Sequence, residues 1–435
     1  MVDRRKIALF GIYLSLYTNS LMITVMTPIA NKMVMYFGMV DDRTKTGYWV
    51  GFLTGSITLG RFASSYHWGT LCDKYGTKPM QILGIITTII LTILFGLSSS
   101  FYMAILLRFL QGLLSPLTIT TKTLISELYP SKEQASAMSW FIVVNSFGSI
   151  SGNIIGGYLE DPQNYNIWLF NQFPFLLPNL IISLIGLISL IICYLYLDDM
   201  QFSESLLNTD NPRSFCNLIK DPLVKQALFI YFICSCNGAG FSELLVLWVW
   251  AKKENGGFEF TPDEIGTMSA ITICLCMIYI RHIYKILVDS FGLMNSSKYC
   301  LQINFIVMLL IPLITFTRFT EILKWVLLIF GSLIYYSLDF VSITNSLIYI
   351  NNSVKANERG KLNGISLAIA SIGRGLFTPI YDIIFAATAE SEYYYPLNFA
   401  FAFIILSVSI LITSIFVRSA SKELEHGRDE KIDKE

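Results

Sequence analysis

The sequence predicts an all-α membrane protein of twelve transmembrane helices, arranged as two pseudo-symmetric six-helix bundles. Three observations support this fold class. Of the 435 residues, 54% are hydrophobic and only 14% are charged, whereas soluble domains carry about 25% charged residues. The mean hydropathy is +0.56. The apolar residues are gathered into runs that are long enough to cross a bilayer, which takes about 20 residues.

Twelve apolar runs predict the individual helices. They lie near residues 7–29, 47–70, 80–99, 101–126, 136–158, 172–197, 225–250, 264–284, 298–316, 323–349, 362–387 and 395–417. The first run follows the charged segment from Asp3 to Lys6, but it is too long for a signal peptide and lacks a cleavage site of small residues. We therefore expect it to be retained as the first helix.

The distribution of charge predicts the topology. With the N-terminus in the cytoplasm, most of the 31 Lys and Arg residues fall in cytoplasmic segments, in agreement with the positive-inside rule. Both termini are therefore expected in the cytoplasm. The longest polar interval then separates an N-terminal bundle (1–197) from a C-terminal bundle (225–418) through a cytoplasmic linker (198–224). The cytoplasmic tail (419–435) is short and mixed in charge, and we expect it to be disordered or a frayed helix.

The two halves show a weak internal repeat. A shift of 225 residues aligns the segment Ser146-Phe147-Gly148 with Ser371-Ile372-Gly373. Repeated six-helix halves, with a binding site between them near the bilayer midplane, are typical of secondary transporters.

Regularly spaced glycines predict close helix packing in the fifth run. Small residues at four-residue spacing allow neighbouring backbones to approach each other closely. The packing candidates are Gly148, Gly152, Gly156 and Gly157. A similar series in the second run includes Gly47 and Gly51.

A charged segment interrupts the apolar sequence between the second and third runs. Its pattern of Gly69, Asp73, Lys74, Gly76 and Lys78 resembles the G-x-x-x-D-[RK]-x-G-x-[RK] loop of the major facilitator superfamily. The resemblance implies that this loop and the start of helix eleven close the cytoplasmic side. An aspartate at a helix end can pair with a lysine or cap a helix N-terminus. The alternative is a solvated turn with lysines placed by the positive-inside rule.

Two further motifs resemble the same superfamily. The segment from Arg108 to Gly112, with Gln111 between them, is similar to the R-x-x-Q-G signature of its fourth helix. The segment 151–159 resembles the fifth-helix motif of the drug:proton antiporter branch, with Asn153 in place of the motif proline. Asparagine removes the kink that a proline favours.

A narrower resemblance links the chain to the zinc-induced facilitator-like group. It depends on the pairs Gly60-Arg61, Trp68-Gly69, Arg359-Gly360 and Asn363-Gly364. The group implies transport of organic anions, zwitterionic metal chelators or monovalent cations, generally against protons. Its cysteine-rich loop pattern is not evident here, and the scattered Cys and His residues predict no metal site.

Charged residues inside membrane segments are costly and usually functional. The N-terminal half contains Arg61, Arg108 and Lys122, and the C-terminal half contains Glu243, Asp339, Arg374 and Asp382. The superfamily resemblance places helices one, four, seven and ten around a cavity. The candidate substrate and proton pathway comprises Tyr17, Asn19, Arg108, Gln111, Glu243, Tyr335, Asp339 and Arg374.

Roles follow from the charges of these candidates. Glu243 and Asp339 are the expected proton carriers, and Arg108 is the expected counter-charge for an anionic group. An alternative is that Asp339 and Arg374 form a buried structural ion pair, which would still be costly to break. Asp382 is expected near an outer helix end.

The sequence therefore predicts a secondary transporter that moves an anionic or zwitterionic organic solute by alternating access in proton-coupled antiport. The alternatives are an uncoupled facilitator and a transporter-like receptor or scaffold without turnover. The absence of a phosphate-binding G-x-x-x-x-G-K-[ST] loop argues against a primary pump. We expect no enzymatic activity and no cofactor. The expected partners are the solute, protons and the lipid bilayer, without nucleic acid, for a monomer in the plasma membrane or in an endomembrane or vacuolar membrane.

Overall fold

The computed structural model of the protein describes residues 4–128, 131–159, 167–197, 215–316, 320–354, 358–391 and 398–425, and their regular secondary structure is helical. The α-helices within these ranges are α1 (Arg4–Thr24), α2 (Met26–Tyr36), α3 (Gly47–Tyr75), α4 (Thr77–Gly96), α5 (Phe101–Leu113), α6 (Leu117–Leu128), α7 (Ser131–Tyr158), α8 (Trp168–Gln172), α9 (Leu176–Tyr196), α10 (Phe215–Lys220), α11 (Pro222–Trp250), α12 (Pro262–Leu310), α13 (Glu321–Asn352), α14 (Arg359–Ala389) and α15 (Phe401–Ser419).

The predicted class of all-α membrane protein is confirmed. Ten helical segments in the described ranges are long and apolar enough to cross a bilayer. The two remaining predicted runs, 47–70 and 136–158, lie within the long helices α3 and α7. The count of twelve crossings and the cytoplasmic side of both termini stay predictions.

The described residues form two compact units. Unit 1 draws on residues 1–41, 52–206 and 260–270, and unit 2 draws on 42–51, 207–259 and 271–435. Unit 2 therefore includes the first residues of α3, whereas the rest of that helix belongs to unit 1. In the same way, the first residues of α12 belong to unit 1 and the rest of α12 to unit 2.

Several predicted helices are interrupted. The first run continues to Tyr36 but is divided between α1 and α2 at Val25, and the fourth run is divided between α5 and α6 just before Leu117. Pro116 lies at the second break, where a residue without a backbone N–H limits continuous helix bonding.

Two predicted cytoplasmic loops are shorter than expected. α3 continues to Tyr75 and α4 begins at Thr77, so Gly76, with φ of 89°, is the whole connection. The predicted loop between the eighth and ninth runs is helical on both sides of Gly292, whose φ is 77°. Positive φ is readily adopted by glycine, so one glycine in each loop provides the turn.

Helical residues lie within the segments predicted as the linker and the tail. α11 begins at Pro222 because Asp221 accepts a hydrogen bond from the Leu223 N–H at 3.1 Å and proline suits the first helical turn. Residues 198–214 lie outside the described ranges. In the tail, Lys422–Glu425 form a 3-10 helix with Leu424 fully buried, so of the two expected states this part of the tail is helical. The rest of the tail, residues 426–435, lies outside the described ranges.

Candidate functional site

The buried guanidinium of Arg108 binds the last turn of α1. It donates hydrogen bonds to the carbonyl oxygens of Met22 at 3.0 Å and Ile23 at 3.3 Å, and to Oε1 of Gln111 at 3.1 Å. The guanidinium also lies 5.5 Å from the ring centroid of Phe95. The carbonyls in the last turn of a helix need donors from outside the helix. Arg108 therefore caps α1, and its role as a solute counter-charge stays a prediction.

A second polar cluster in unit 1 is centred on Asn19. Its Oδ1 accepts hydrogen bonds from the Arg61 guanidinium at 3.3 Å and from the Ser115 hydroxyl at 3.2 Å. Its Nδ2 lies 3.5 Å from Oγ1 of Thr118. The structure thus brings α1, α3 and the α5–α6 region together at Asn19. Arg61 is half-buried, and sequence reasoning left it out of the pathway.

Tyr17 lies on the opposite side of α1 from this cluster, next to α7. Its ring stacks on Phe147 with the two centroids 5.7 Å apart. A Cβ added to Gly148 would lie 2.6 Å from Cβ of Ser20 and 3.1 Å from the Tyr17 carbonyl oxygen. Added Cβ atoms on Gly152 and Gly156 would likewise overlap α1 and the residue after it. This part of unit 1 is held by close backbone approach.

Gly157 packs against the start of α12, which is part of unit 1. A Cβ added there would lie 2.6 Å from the Pro262 carbonyl oxygen. The approach is close from both sides, because a Cβ on Gly266 would lie 2.5 Å from the carbonyl oxygen of Asn153. The residue in place of the motif proline therefore contributes its backbone to a close helix contact.

The charged segment at the end of α3 is mostly helical. Gly69 lies within α3, and a Cβ added there would meet nothing within 4 Å. Lys74 is exposed and lies 5.1 Å from the ring of Tyr75, and Lys78 lies in the first turn of α4. The side chain of Asp73 lies outside the described part of the chain. The proposed cytoplasmic gate stays a prediction.

Asp339 of α13 is buried against α11 in unit 2. It is 8% exposed, and a Cβ added to Gly238 would lie 2.7 Å from its Oδ2. Neither a hydrogen bond nor an ion pair reaches Asp339 from the described residues. Glycine at position 238 provides the space that this carboxyl group occupies.

The suggested ion pair between Asp339 and Arg374 is absent, although both side chains are described. Arg374 instead donates a long 3.4 Å hydrogen bond to the carbonyl of Ala370 on its own helix. The physical reason is that the two charges face different sides of α11. Arg374 interacts electrostatically with Cys236, whereas Asp339 interacts with Cys234, and side chains two apart point in different directions on a helix.

Tyr335 is a fully buried packing residue. Its hydroxyl donates a hydrogen bond to the carbonyl of Asn237 at 3.1 Å, and its ring lies 3.7 Å from the Phe241 ring. Asn237 in turn donates to Thr413 and accepts from Ser409. Tyr335 therefore joins α13 to α11, and its place in the solute pathway stays a prediction.

Glu243 interacts electrostatically with a third acid, Asp382 of α14. Asp382 is completely buried, and neither of its carboxyl oxygens has a hydrogen-bond partner among the residues that the structure describes. It lies against the glycines at the start of α3, since a Cβ on Gly51 would be 2.9 Å from its Oδ2. Sequence reasoning noted Asp382 without giving it a role. Its intramembrane charge was the only signal available.

Unit 2 contains a counterpart of the charged α3 segment that sequence reasoning also missed. Asp289 and Gly292 repeat the spacing of Asp73 and Gly76, and both glycines have positive φ. A shared D-x-x-G spacing at a shift of 216 residues could have revealed this turn. The second copy lacks the flanking lysines at the corresponding positions, which concealed the match.

Comparison with known proteins identifies the family. A model described as Major Facilitator Superfamily matches residues 7–378 of this chain. The chain belongs to the Major Facilitator Superfamily. As a superfamily member with multiple membrane-spanning helices, it is an integral multi-pass membrane transporter and not an enzyme. Members of the superfamily bind small-molecule substrates, so a solute is the expected cargo.

Individual relatives agree with this placement in the Major Facilitator Superfamily. A probable peptide/nitrate transporter of Arabidopsis thaliana is 28% identical, with 83% of this chain and 79% of that protein covered. Zinc Induced Facilitator 1 of the same plant is 27% identical, with 83% and 80% covered. The predicted resemblance to the zinc-induced facilitator group is thereby confirmed, and multidrug transporters are also among the relatives.

Solved structures of other superfamily members share the fold. An inward-facing, unoccupied bacterial homologue of the human lysosomal transporter Spinster matches with a TM-score of 0.70 and 16% identity. The match covers 98% of this chain and 97% of that chain. At this level of identity the likeness concerns the fold alone.

Proposed function

We propose that this superfamily member is a proton-coupled antiporter of an anionic or zwitterionic organic solute that works by alternating access. The observation that carries the proposal is Asp339, a buried carboxyl group with no ion-pair partner among the described residues. An unpaired ionised carboxylate inside a membrane protein is very costly. Asp339 therefore holds a proton while it is buried and can release the proton only when water reaches it.

The depth of Asp339 supports this role. It contacts α11 at Gly238, which is twelve residues before the end of the helix at Trp250. At 1.5 Å per residue this places Asp339 about 18 Å from that end of a helix about 43 Å long. Secondary transporters bind substrates and coupling ions near the bilayer midplane, and Asp339 lies close to the middle of α11.

Arg374 is the proposed partner for a negative group on the solute. Arg108 is held by two main-chain carbonyls and Gln111, whereas within the described ranges Arg374 makes one long hydrogen bond, to its own helix. A solute carboxylate or similar anion could therefore bind Arg374 without breaking a strong contact. One relative is named as a probable peptide/nitrate transporter. Nitrate is an anion and a peptide is a zwitterion, so this name agrees with the proposed class of solute.

Flux in proteoliposomes tests the coupling. Nitrate and a dipeptide serve as probes, glucose serves as the neutral comparison, and a trapped pH-sensitive dye reports protons. We expect Asp339→Asn and Glu243→Gln each to abolish flux driven by a pH gradient while leaving solute exchange possible.

The matched control is Glu254→Gln, because Glu254 is an exposed acid outside the membrane helices. Unchanged driven flux in both variants would exclude these residues as proton carriers. Solute flux in the native protein that ignores the gradient would indicate an uncoupled facilitator.

A further inference from the structure

Asp382 lies in the last third of α14, where the start of α3 packs against it within unit 2. A Cβ added to Gly47 would lie 2.6 Å from the Asp382 carbonyl oxygen and 3.1 Å from Cβ of Ala386. A Cβ added to Gly51 would overlap Pro379 and would lie 2.9 Å from Oδ2 of Asp382. Gly47 therefore brings the α3 backbone onto the main chain of α14 and Gly51 brings it onto the carboxyl group, which is fully buried.

The carboxyl group of Asp382 has no compensating partner at this contact. The side chain is fully buried, and neither oxygen accepts a hydrogen bond from the described part of the chain. Among the described residues, no cation forms an ion pair with it. Burying an isolated ionised carboxylate is far more costly than burying the neutral acid. Asp382 is therefore stable in this arrangement only as the protonated acid.

The charged groups on the neighbouring elements do not change this conclusion. Glu243 of α11 faces Asp382 and has the same sign, so it opposes ionisation. In the segment just before α3, Lys45 is paired with Glu390 at 3.4 Å, and Arg43 lies over the Trp250 ring at 4.4 Å.

The charged and titratable groups on the other elements that pack on α14 contact residues other than Asp382. Asp339 of α13 lies against Gly238, and Arg418 is exposed in the last turn of α15. Tyr48 of α3 interacts with Glu390 and Lys45. On α14 itself, the Tyr381 ring contacts Gly240 and Arg374 binds its own helix.

Comparison with the equivalent position of unit 1 shows that packing does not require an acid here. The shift of 225 residues that relates the two halves aligns Asp382 with Gly157. Gly157 packs against the start of α12, as Asp382 packs against the start of α3. In the contact with α12, the residue on the packed helix is a glycine. In the contact of Asp382 with α3, the glycines are on α3 and leave space for a carboxyl group. Helix packing alone therefore does not explain the carboxyl group of Asp382.

We propose that Asp382 is a proton-binding residue that keeps its proton while the start of α3 covers it and releases the proton when α3 moves away from α14. The inference extends the proposed function by adding a proton site whose exposure depends on the position of α3. The covering segment is the first part of a helix that continues to Tyr75, so a displacement of α3 would draw this segment away from Asp382. Release of the proton then leaves a charged carboxylate, which opposes closure until a proton is bound again.

The distance between α3 and α14 as a function of pH tests the proposal without a solute or a gradient. Spin labels replace Lys45 and Glu390, which are exposed and adjacent, in a chain without the native cysteines. Because the covered state binds the proton, the separated population should grow as pH rises from about 5 to about 8. A single proton can shift this equilibrium by up to about tenfold per pH unit.

Matched variants identify the titrating group. Asp382→Asn imitates the neutral acid, so we expect the labels to stay close at every pH. Asp41→Asn removes an exposed acid beside the same segment and should keep the native pH response. An unchanged pH response in Asp382→Asn, or no pH response in the native chain, would overturn the proposal. Loss of proton-driven flux in Asp339→Asn leaves these distances unaffected, so the two proposals fail separately.

A measurement on the unlabelled native chain covers the case in which Asp382→Asn does not fold. Dicyclohexylcarbodiimide modifies protonated carboxyl groups in apolar surroundings, and peptide mass spectrometry locates the product. We expect modification of Asp382 near pH 7, where an ordinary aspartate, with a pKa of about 3.9, is ionised. Absence of modification at Asp382 under these conditions would contradict the proposal.

Discussion

Arg108 and Met22 are joined by a 3.0 Å hydrogen bond from the guanidinium to the main-chain oxygen at the end of α1. Lysine cannot reproduce the planar donor group that reaches Met22, Ile23 and Gln111 together. We expect Arg108→Lys to lower the free energy of unfolding by about 2 kcal/mol, because hydrogen bonds from a buried charge are lost. The thermal unfolding midpoint of the purified protein measures this loss.

The control for this prediction is Arg418→Lys, since Arg418 is exposed at the end of α15. Its unfolding midpoint should match that of the native protein. If Arg108→Lys kept the native midpoint but lost solute binding, Arg108 would be the solute counter-charge that the sequence suggested.

The sequence predicted those features that depend on local pattern. Apolar runs placed the helices, and the glycine series from Gly148 to Gly156 marked a face that does pack closely on α1. Intramembrane charge selected Glu243 on α11 and Asp339 on α13, two helices that pack against each other in unit 2, and their role as proton carriers stays a prediction. These signals lie within single helices, so one sequence is enough to show them.

The contacts between distant segments could not be predicted in the same way. Asp382 and Gly51 are more than 300 residues apart, and nothing in either local pattern names the other as a neighbour. Likewise, the partners of Arg108 are main-chain oxygens, which every residue possesses. Sequence reasoning therefore found the charges but not whether each is satisfied by protein, as for Arg108, or left without a partner, as for Asp382.

Gly112 and Gly69 make a contrasting pair for substitution by alanine. A Cβ on Gly112 would overlap the carbonyl of Ile57 in α3, whereas a Cβ on Gly69 would meet nothing within 4 Å. We expect Gly112→Ala to destabilise the fold by about 1 to 3 kcal/mol through overpacking. Gly69→Ala should leave stability unchanged or raise it by up to about 1 kcal/mol, since alanine favours helix.

Unfolding midpoints and transport rates of the two glycine variants distinguish packing from gating. If Gly69→Ala is stable but slow in transport, the cytoplasmic gate needs a small residue at this position in another state of the cycle. Equal destabilisation of both variants would disagree with the helix contacts described above.

The ion pair between Asp42 and Lys252, with a 2.6 Å separation of Oδ2 and Nζ, predicts a pH range of stabilisation. Burial alone would raise the pKa of Asp42, but the hydrogen bond and charge of Lys252 and the Thr44 N–H lower the pKa below its ordinary 3.8. The hydrogen bond and charge of Asp42 raise the pKa of Lys252 above 10.5. The pair therefore stabilises the protein at pH values above the ordinary pKa of aspartate and below the ordinary pKa of lysine.

The sign of each shift fixes the expected pH profile. As pH falls through the lowered pKa of Asp42 the contribution is lost, and as pH rises through the raised pKa of Lys252 it is lost as well. The difference in unfolding midpoint between the native protein and Asp42→Asn should be small but constant between about pH 5 and about pH 9. It should vanish towards pH 3, and Asp41→Asn should show no such difference. A difference that grows with acid would contradict the lowered pKa.

Leu424 gives the tail a structural role that can be tested by truncation. It is fully buried, its carbonyl accepts a hydrogen bond from Asn352 at 3.0 Å, and the Ser421 N–H binds Gln226. Truncation after Ser419 should lower the free energy of unfolding by about 2 kcal/mol, the usual contribution of one buried leucine. Truncation after Glu425 removes none of these contacts and should keep the native unfolding midpoint.

Leu424→Ser in the full chain should reproduce most of the loss of stability, because it removes the buried side chain and keeps the backbone. Identical midpoints for both truncations would show that the packing of Leu424 adds nothing to stability.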